Sequence, residues 1–358
     1  MKPLLAEVRK VRERLGILKE KWWPGALLFL FGLGLVLSGG LGLGFNYALT
    51  PVAHGPQQAR IVVVPPNATA GQIAEMLVQE NLIRSRWAFE VYTRFLGKDS
   101  SLQAGTYSLR TDQSIPEIVR MLVSGRTLMV TFTIPEGFTI SQIADVLERH
   151  HLIDRQRFFE VVAREKFPYP FLEGLPPSCR RLEGFLYPDT YRVPRDIDEK
   201  QLVDIMLARF QKEITRLNFE ERARKIGLTV RDAVIIASLI EREAKLDSER
   251  AIISGVIQNR LQRQMPLQID ATVVYALGRQ PNRGVVTYKD LTVDSPYNTY
   301  LYTGLPPGPI ASPGSASLIA AVSPAPTPYL YYVAKPDGSH AFARTLDEHN
   351  RYKRQYQR

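Results

Sequence analysis

Apolar residues recur at helical spacing in two stretches of the chain that match each other. Val64–Arg94 aligns without gaps on Ile134–Arg164, 70 residues further on, and 12 of the 31 positions are identical, among them Pro65/Pro135, Gln72/Gln142, Leu82/Leu152 and Phe89/Phe159. Each copy opens on a β-rich run, Ile61–Val64 or Val130–Ile134, and then turns. Thr69 or Thr139 next stands where a helix N-cap belongs. Ile73, Ala74 and Leu77, matched by Ile143, Ala144 and Leu147, predict one buried helical face. A second helix is predicted from near Ser85 or Asp154. The likeness resumes at an offset of 84, where Thr106–Leu109 resembles Thr190–Val193 and Ile118–Leu122 resembles Leu202–Met206. The second copy therefore carries about 14 extra residues between Arg164 and Thr190, including the proline-rich turn Pro168–Pro177. The fold class predicted is α+β, with short sheets flanked by helices and a boundary near Arg126–Val130.

A different pattern precedes the repeat. Trp22–Phe45 holds no charged residue, and 24 residues of helix span roughly 36 Å, enough to cross a bilayer core with some tilt. Residues 1–21 carry +4 of the formal charge of +10, which fits a cytoplasmic basic tail under the positive-inside rule. A cleaved signal peptide is the rival reading, and the length of the apolar run favours a retained anchor. The domains expected are the tail at 1–21, a transmembrane helix at 22–45, a linker at 46–59 and folded parts at 60–127 and 128–358. The remaining +6 is spread over the folded part with no basic stripe interleaved with aromatics, so nucleic acid is not an expected partner. A single cysteine, Cys179, excludes an intrachain disulfide and is read as a small core residue. The five histidines make no metal-ligand spacing, so neither metal nor cofactor is expected.

Candidate chemistry gathers after the insertion. Arg181–Tyr191, RLEGFLYPDTY, sets Glu183 among Leu182, Phe185, Leu186 and Tyr187, and an apolar surround raises a carboxyl pKa towards that of a neutral-pH proton donor. Gly184 would allow close approach of a sugar or of backbone. ASLIEREA (Ala237–Ala244) lies at the end of an apolar helix predicted from near Arg231. Three long polar-aromatic segments with stiffening prolines follow: Gly255–Gly278, Ser295–Gly314 and Tyr329–Tyr352. Their amides, rings and arginines suit sugar hydroxyls, sugar faces and peptide carboxylates.

These segments, with the amino-terminal apolar helix, closely resemble the YceG-like family of endolytic murein transglycosylases. The likeness runs from about Val62 to the end, through LEGxLxPDTY, ASxIExE, NRLxxxMPLQxDxTVxYALG, SPYNTYxxxGLPPGPIxxPG and the closing DGxHxF and EHN. Two departures are Gln264, where the family usually has glycine, and Ala271, where proline is usual. The resemblance implies that Glu183 is the catalytic acid/base and that 60–127 is a LysM-like, glycan-binding subdomain beside a catalytic domain at 128–358. It implies a lyase that cuts the MurNAc-GlcNAc β-1,4 bond without water, leaves a 1,6-anhydroMurNAc end, and releases or terminates nascent strands. The implied partners are peptidoglycan strands, the inner membrane and glycan polymerase/transpeptidase complexes. The implied place is the cytoplasmic membrane, with the catalytic domain outside. Substrate-binding candidates are Tyr187, Asp189, Tyr191, Glu241, Asn259, Arg260, Gln268, Asp270, Tyr297, Asn298 and Tyr300. Asp189 reads more naturally as a turn cap, and Glu241 stands evenly between orienting Glu183 and serving as scaffold. A lysozyme-like hydrolase and a peptidoglycan-binding scaffold without catalysis remain the alternatives.

Overall fold

A computed structural model describes residues 27–33, 39–40, 42–52, 58–125, 127–279 and 286–356. The basic tail and residues 22–26, 34–38 and 41 of the expected membrane span lie outside the described residues. Among the described residues no helix is long and apolar enough to cross a membrane. Two compact units divide at Leu128/Met129.

In the first unit β1 (Ala59–Val64) pairs antiparallel with β2 (Gly105–Arg110), and between them run α1 (Ala70–Gln79) and α2 (Arg86–Phe95). Helix α3 (Ile115–Ser124) closes the unit. Val62 and Val64 point inward while Ile61 and Val63 stay exposed, the two-residue alternation of a sheet covered on one face. The inward pair meets Ile73, Leu77, Phe89, Tyr107 and Ile118 in one core. Helical residues 42–49 join it through Phe45, whose ring meets Trp87 edge-on at 5.6 Å.

The second unit begins by repeating this plan. Strand β3 (Met129–Thr133) pairs with β4 (Thr190–Pro194) around α4 (Ile140–Arg149) and α5 (Arg155–Arg164), and α6 (Glu199–Arg216) takes the place of α3. Thr69 and Thr139 both form capping boxes, with Gln72 and Gln142, each satisfying amides that would otherwise end a helix unpaired. Asn81 and His151, equivalent positions, both adopt positive φ after the first helix, at 55° and 54°. Tyr107 and Tyr191, 84 apart, each turn their hydroxyl onto the carbonyl four residues back, at 2.8 and 2.6 Å. The ungapped alignment fails at one point. Helices α2 and α5 start 69 residues apart, so the core partner of Phe89 is Phe158, not Phe159. Helix packing overrode four identities at offset 70, because a one-residue slip turns a helix by about 100°.

Beyond the repeat the second unit adds α7 (Phe219–Lys225), α8 (Val230–Glu243), α9 (Asp247–Gln262), α10 (Asp270–Ala276) and α11 (Ser315–Ala321). A hairpin of β5 (Tyr331–Ala334) and β6 (His340–Ala343) follows, and then α12 (Leu346–Tyr356). Helix α8 is apolar on nearly every side, burying each residue from Ala233 to Ile240, as a central helix must. Cys179, expected in the core, is exposed on the insertion. Gln264 adopts φ 54°, which is the physical reason a glycine suits that position.

Candidate active site

Glu183 sits in a tight turn between the insertion and β4. The amide of Glu183 donates to the Arg180 carbonyl at 3.0 Å and that of Phe185 to Leu182 at 3.1 Å. Gly184 takes φ 81°, and a β-carbon there would stand 2.5 Å from Pro309, so neither the backbone nor the space admits another residue cheaply. The insertion props this turn from below. Phe171 stacks on Phe185 at 5.5 Å, and both rings meet Phe210 of α6. Arg181 ties the same turn to the end of α5 through the carbonyls of Val162 and Glu165. The extra residues of the second copy therefore hold up the turn that bears the carboxylate.

The Glu183 carboxyl is only 2% exposed. Its Oε1 accepts from the Ile140 amide at 2.9 Å, at the first turn of α4, and its Oε2 accepts from the Tyr275 hydroxyl at 2.9 Å. Burial disfavours the ionised form and pushes the pKa up to about 7, against the two hydrogen bonds and the Arg180 guanidinium, which pull it down. Arg180 lies 4.8 Å over the Tyr275 ring and 5.8 Å over Tyr297, and the two rings are 5.0 Å apart. The result is one carboxyl raised towards neutrality, with an amide and a phenol ready to steady its anion. Such a group can give a proton and take one back.

Of the eleven expected binding residues, Tyr297 is the one this arrangement brings beside Glu183 through Tyr275. Asp189 accepts from the Thr190 amide at 2.7 Å and from Arg209 at 2.6 Å, the turn-capping role. Tyr187 is buried under that arginine, and Tyr191 spends its hydroxyl within the fold, as Tyr107 does in the first unit. Glu241 takes the scaffold side: it accepts from the Gly314 amide at 3.0 Å and lies 3.4 Å from Arg250. Asn259 holds the carbonyls of Thr327 and Tyr329, and fully buried Asn298 holds those of Leu291 and Val293. Arg260, Gln268, Asp270 and Tyr300 line a separate cavity. Tyr275, Arg180 and the Ile140 amide were missed. Tyr275 stands inside the quoted TVVYALG run and Arg180 three residues before Glu183, but only the turn and α10 bring them to one carboxyl.

Removing the Tyr275 hydroxyl should leave Glu183 buried with one donor fewer. Tyr275→Phe should therefore raise the pKa of Glu183 further and move the descending limb of the kcat/KM profile upward by roughly one pH unit. A profile that stays in place would show that the phenol does not contact the working carboxylate.

The model of the YceG-like family matches residues 62–355. An endolytic murein transglycosylase of Bacillus subtilis is 34% identical over 333 residues, covering 90% of this chain and 91% of that protein. One of Streptococcus pneumoniae is 30% identical over 352 residues, and there the chain covers 63% of the relative's length, less than two thirds. The crystal structure of a yceG-like protein from Listeria monocytogenes aligns with a TM-score of 0.56 at 31% identity, over 83% of this chain and all of that one.

Proposed function

The chain belongs to the YceG-like family, and on that premise we propose that it is an endolytic lytic transglycosylase of peptidoglycan with Glu183 as both acid and base. The observation that carries this reading is the buried Glu183 carboxyl poised near neutrality between the Ile140 amide and the Tyr275 hydroxyl. Protonated Glu183 gives its proton to the oxygen joining N-acetylmuramic acid to the next N-acetylglucosamine, and the C1–O bond breaks through an oxocarbenium-like state. The carboxylate left behind is held by its two donors and removes the proton of the muramoyl C6 hydroxyl. The C6 oxygen then bonds to C1 and a 1,6-anhydro end results. An attacking group tethered to the reacting sugar has an effective molarity of roughly 10⁵ M or more, so no positioned water is needed.

A lysozyme-like hydrolase would need a second carboxylate for that water. The two candidates the sequence offered, Asp189 and Glu241, are held by Arg209 and by Gly314 with Arg250. Liquid chromatography with mass spectrometry of peptidoglycan digested by the full chain should return internal cuts ending in 1,6-anhydroMurNAc. Reducing muramic-acid ends would replace this reading by the hydrolase, and an inert protein would replace it by the scaffold.

The first unit is assigned a LysM-like, glycan-binding role. Its cleft of about 790 Å3 is lined by Thr69, Ala70, Arg94 and Asp99. By the offsets of the repeat, Ala70 stands where Ile140 donates to Glu183, and Asp99 stands where Glu183 itself does. Asp99 is exposed to water and lacks the enclosure that makes an acid of Glu183. The reading is of one groove used twice, with chemistry in the second copy. The uncharged Trp22–Phe45 stretch behind a basic tail supports a single membrane anchor, amino terminus inside and both units outside. That topology would let the enzyme release nascent strands beside polymerase/transpeptidase complexes.

A further inference from the structure

A cavity of about 380 Å3 lies between the ends of α8 and α9, the start of α10 and the β5–β6 hairpin, and Glu183 is not among its walls. It has the size of a small-ligand site, and its walls carry charges of both signs: Glu243 and Asp270 as acids, Arg260 and Lys353 as bases. These charges are kept apart. Glu243 accepts from the Tyr332 hydroxyl at 3.0 Å and Asp270 from that of Tyr300, and neither forms an ion pair among the described residues. Arg260, 8% exposed, is clamped by backbone: its Nε donates to Leu330 at 2.6 Å and its Nη1 to Pro266 and Leu267 at 3.0 and 2.9 Å. No carboxylate pairs with it among the described residues. Burying such groups without pairing them is costly, and partners that could move would collapse together.

His340 adds a built element. It is 8% exposed, its amide donates to Glu249 at 2.9 Å, and its Nδ1 lies 2.7 Å from the other oxygen of that carboxylate. The two contacts to Glu249 fix the ring in the cavity wall. Gln268, on the same wall, holds a left-handed backbone at φ 55°, a local cost that a packed scaffold must sustain. The walls thus offer both acidic acceptors (Glu243, Asp270) and cationic donors (Arg260, Lys353) to one ligand. A neutral sugar needs no such polarity. A simple anion would meet the two acids, and a simple cation would meet the two bases.

We infer that this cavity binds a free amino-acid end, an ammonium and a carboxylate on one carbon, carried by the peptide side chains of the glycan polymer. The inference rests on the peptidoglycan reading above. Burial and the neighbouring Asp270 raise the pKa of Glu243, a condition that an arriving ammonium would relieve. Cross-linking through that amine turns it into an amide and removes its charge. The cavity would then favour strands not yet cross-linked.

The test is isothermal titration of the full chain carrying Glu183→Gln with three probes. These are the tripeptide L-alanyl-D-isoglutamyl-meso-diaminopimelate, the same peptide acetylated on its side-chain amine, and the same peptide amidated on its side-chain carboxyl. The free tripeptide should bind, and each blocked form should bind at least about tenfold more weakly, the loss of one charge-assisted contact. Glu243→Gln should weaken the free tripeptide by about tenfold and leave the acetylated one unchanged. Equal binding of all three, or no binding of any at millimolar concentration, overturns the inference, and the blocked peptides decide it whether or not the variant folds. Anhydro-ended products without peptide binding would remove this site and leave the cleavage reaction standing. Peptide binding by a protein that makes no anhydro ends would do the reverse.

Discussion

Glu183→Gln should lower the release of anhydro-ended fragments by about 10³-fold or more while leaving the protein folded. The amide matches the carboxyl in shape. Its oxygen can still accept from the Ile140 amide, and its nitrogen can donate to the Tyr275 oxygen in place of the bond that Glu183 accepts. What it cannot do is transfer a proton. A positioned acid is worth roughly 10²- to 10⁴-fold, and in the proposed reaction the same group serves as acid in bond breaking and as base in ring closure. The two carboxylates expected as helpers are committed elsewhere, Asp189 to Arg209 and Glu241 to Gly314 with Arg250. Glu183→Asp should sit between the two, because it keeps the acid but withdraws it by one methylene from both donors. The measurement is the rate of anhydro-muropeptide release from purified strands. A Gln variant within tenfold of wild type would move the chemistry to another residue.

The repeat was legible in the sequence because its elements are set by local rules. Threonine caps with glutamine three residues on, apolar residues at helical spacing, and a tyrosine in each closing strand were all readable, and both strand pairs form in equivalent register, Val63 opposite Thr106 and Thr133 opposite Thr190. At α5 four identities from Phe89/Phe159 to Arg94/Arg164 favour an offset of 70, while the N-caps Ser85 and Asp154 set the true offset of 69. The site was legible only in part. An apolar run around Glu183 predicts burial, and burial is found. Its donors come from α4 and α10, 43 and 92 residues away, and no local pattern ties a backbone amide or a phenol to a distant carboxyl. The polar residues of the later loops predict contacts to sugars and peptide carboxylates. Asn259 and Asn298 instead bond carbonyls within the fold, as amides do when they pin long loops. Arg260, Asp270 and Tyr300 line a cavity whose walls do not include Glu183. A dense set of polar residues in proline-rich loops looks alike in sequence whether it binds a ligand or replaces secondary structure in satisfying the backbone.

The same substitution that stops the reaction should stabilise the protein, and only at higher pH. The Glu183 carboxyl has an ordinary value of 4.5 and is raised to about 7 in the fold. The folded state therefore holds its proton more tightly than the unfolded chain does. The stability this supplies is fully present below about pH 4.5 and is lost as the pH climbs through 7, where the fold must accept a buried anion. Over that interval the loss is about 3 kcal/mol, at 1.36 kcal/mol for each pH unit of displacement. Glutamine has no proton to lose there. Glu183→Gln and wild type should thus unfold at similar temperatures at pH 4.5, and at pH 8 the variant should be the more stable by about 3 kcal/mol, roughly 6–12 °C for a unit of this size. Every other titrating group is common to both proteins, so the difference between the two unfolding curves isolates this one. A gap that is the same at both pH values would mean that the carboxyl is not held near neutrality by burial, and the acid of the proposed reaction would lose its physical basis. A gap that opens with pH would show the enzyme keeping a destabilising group because cleavage requires it.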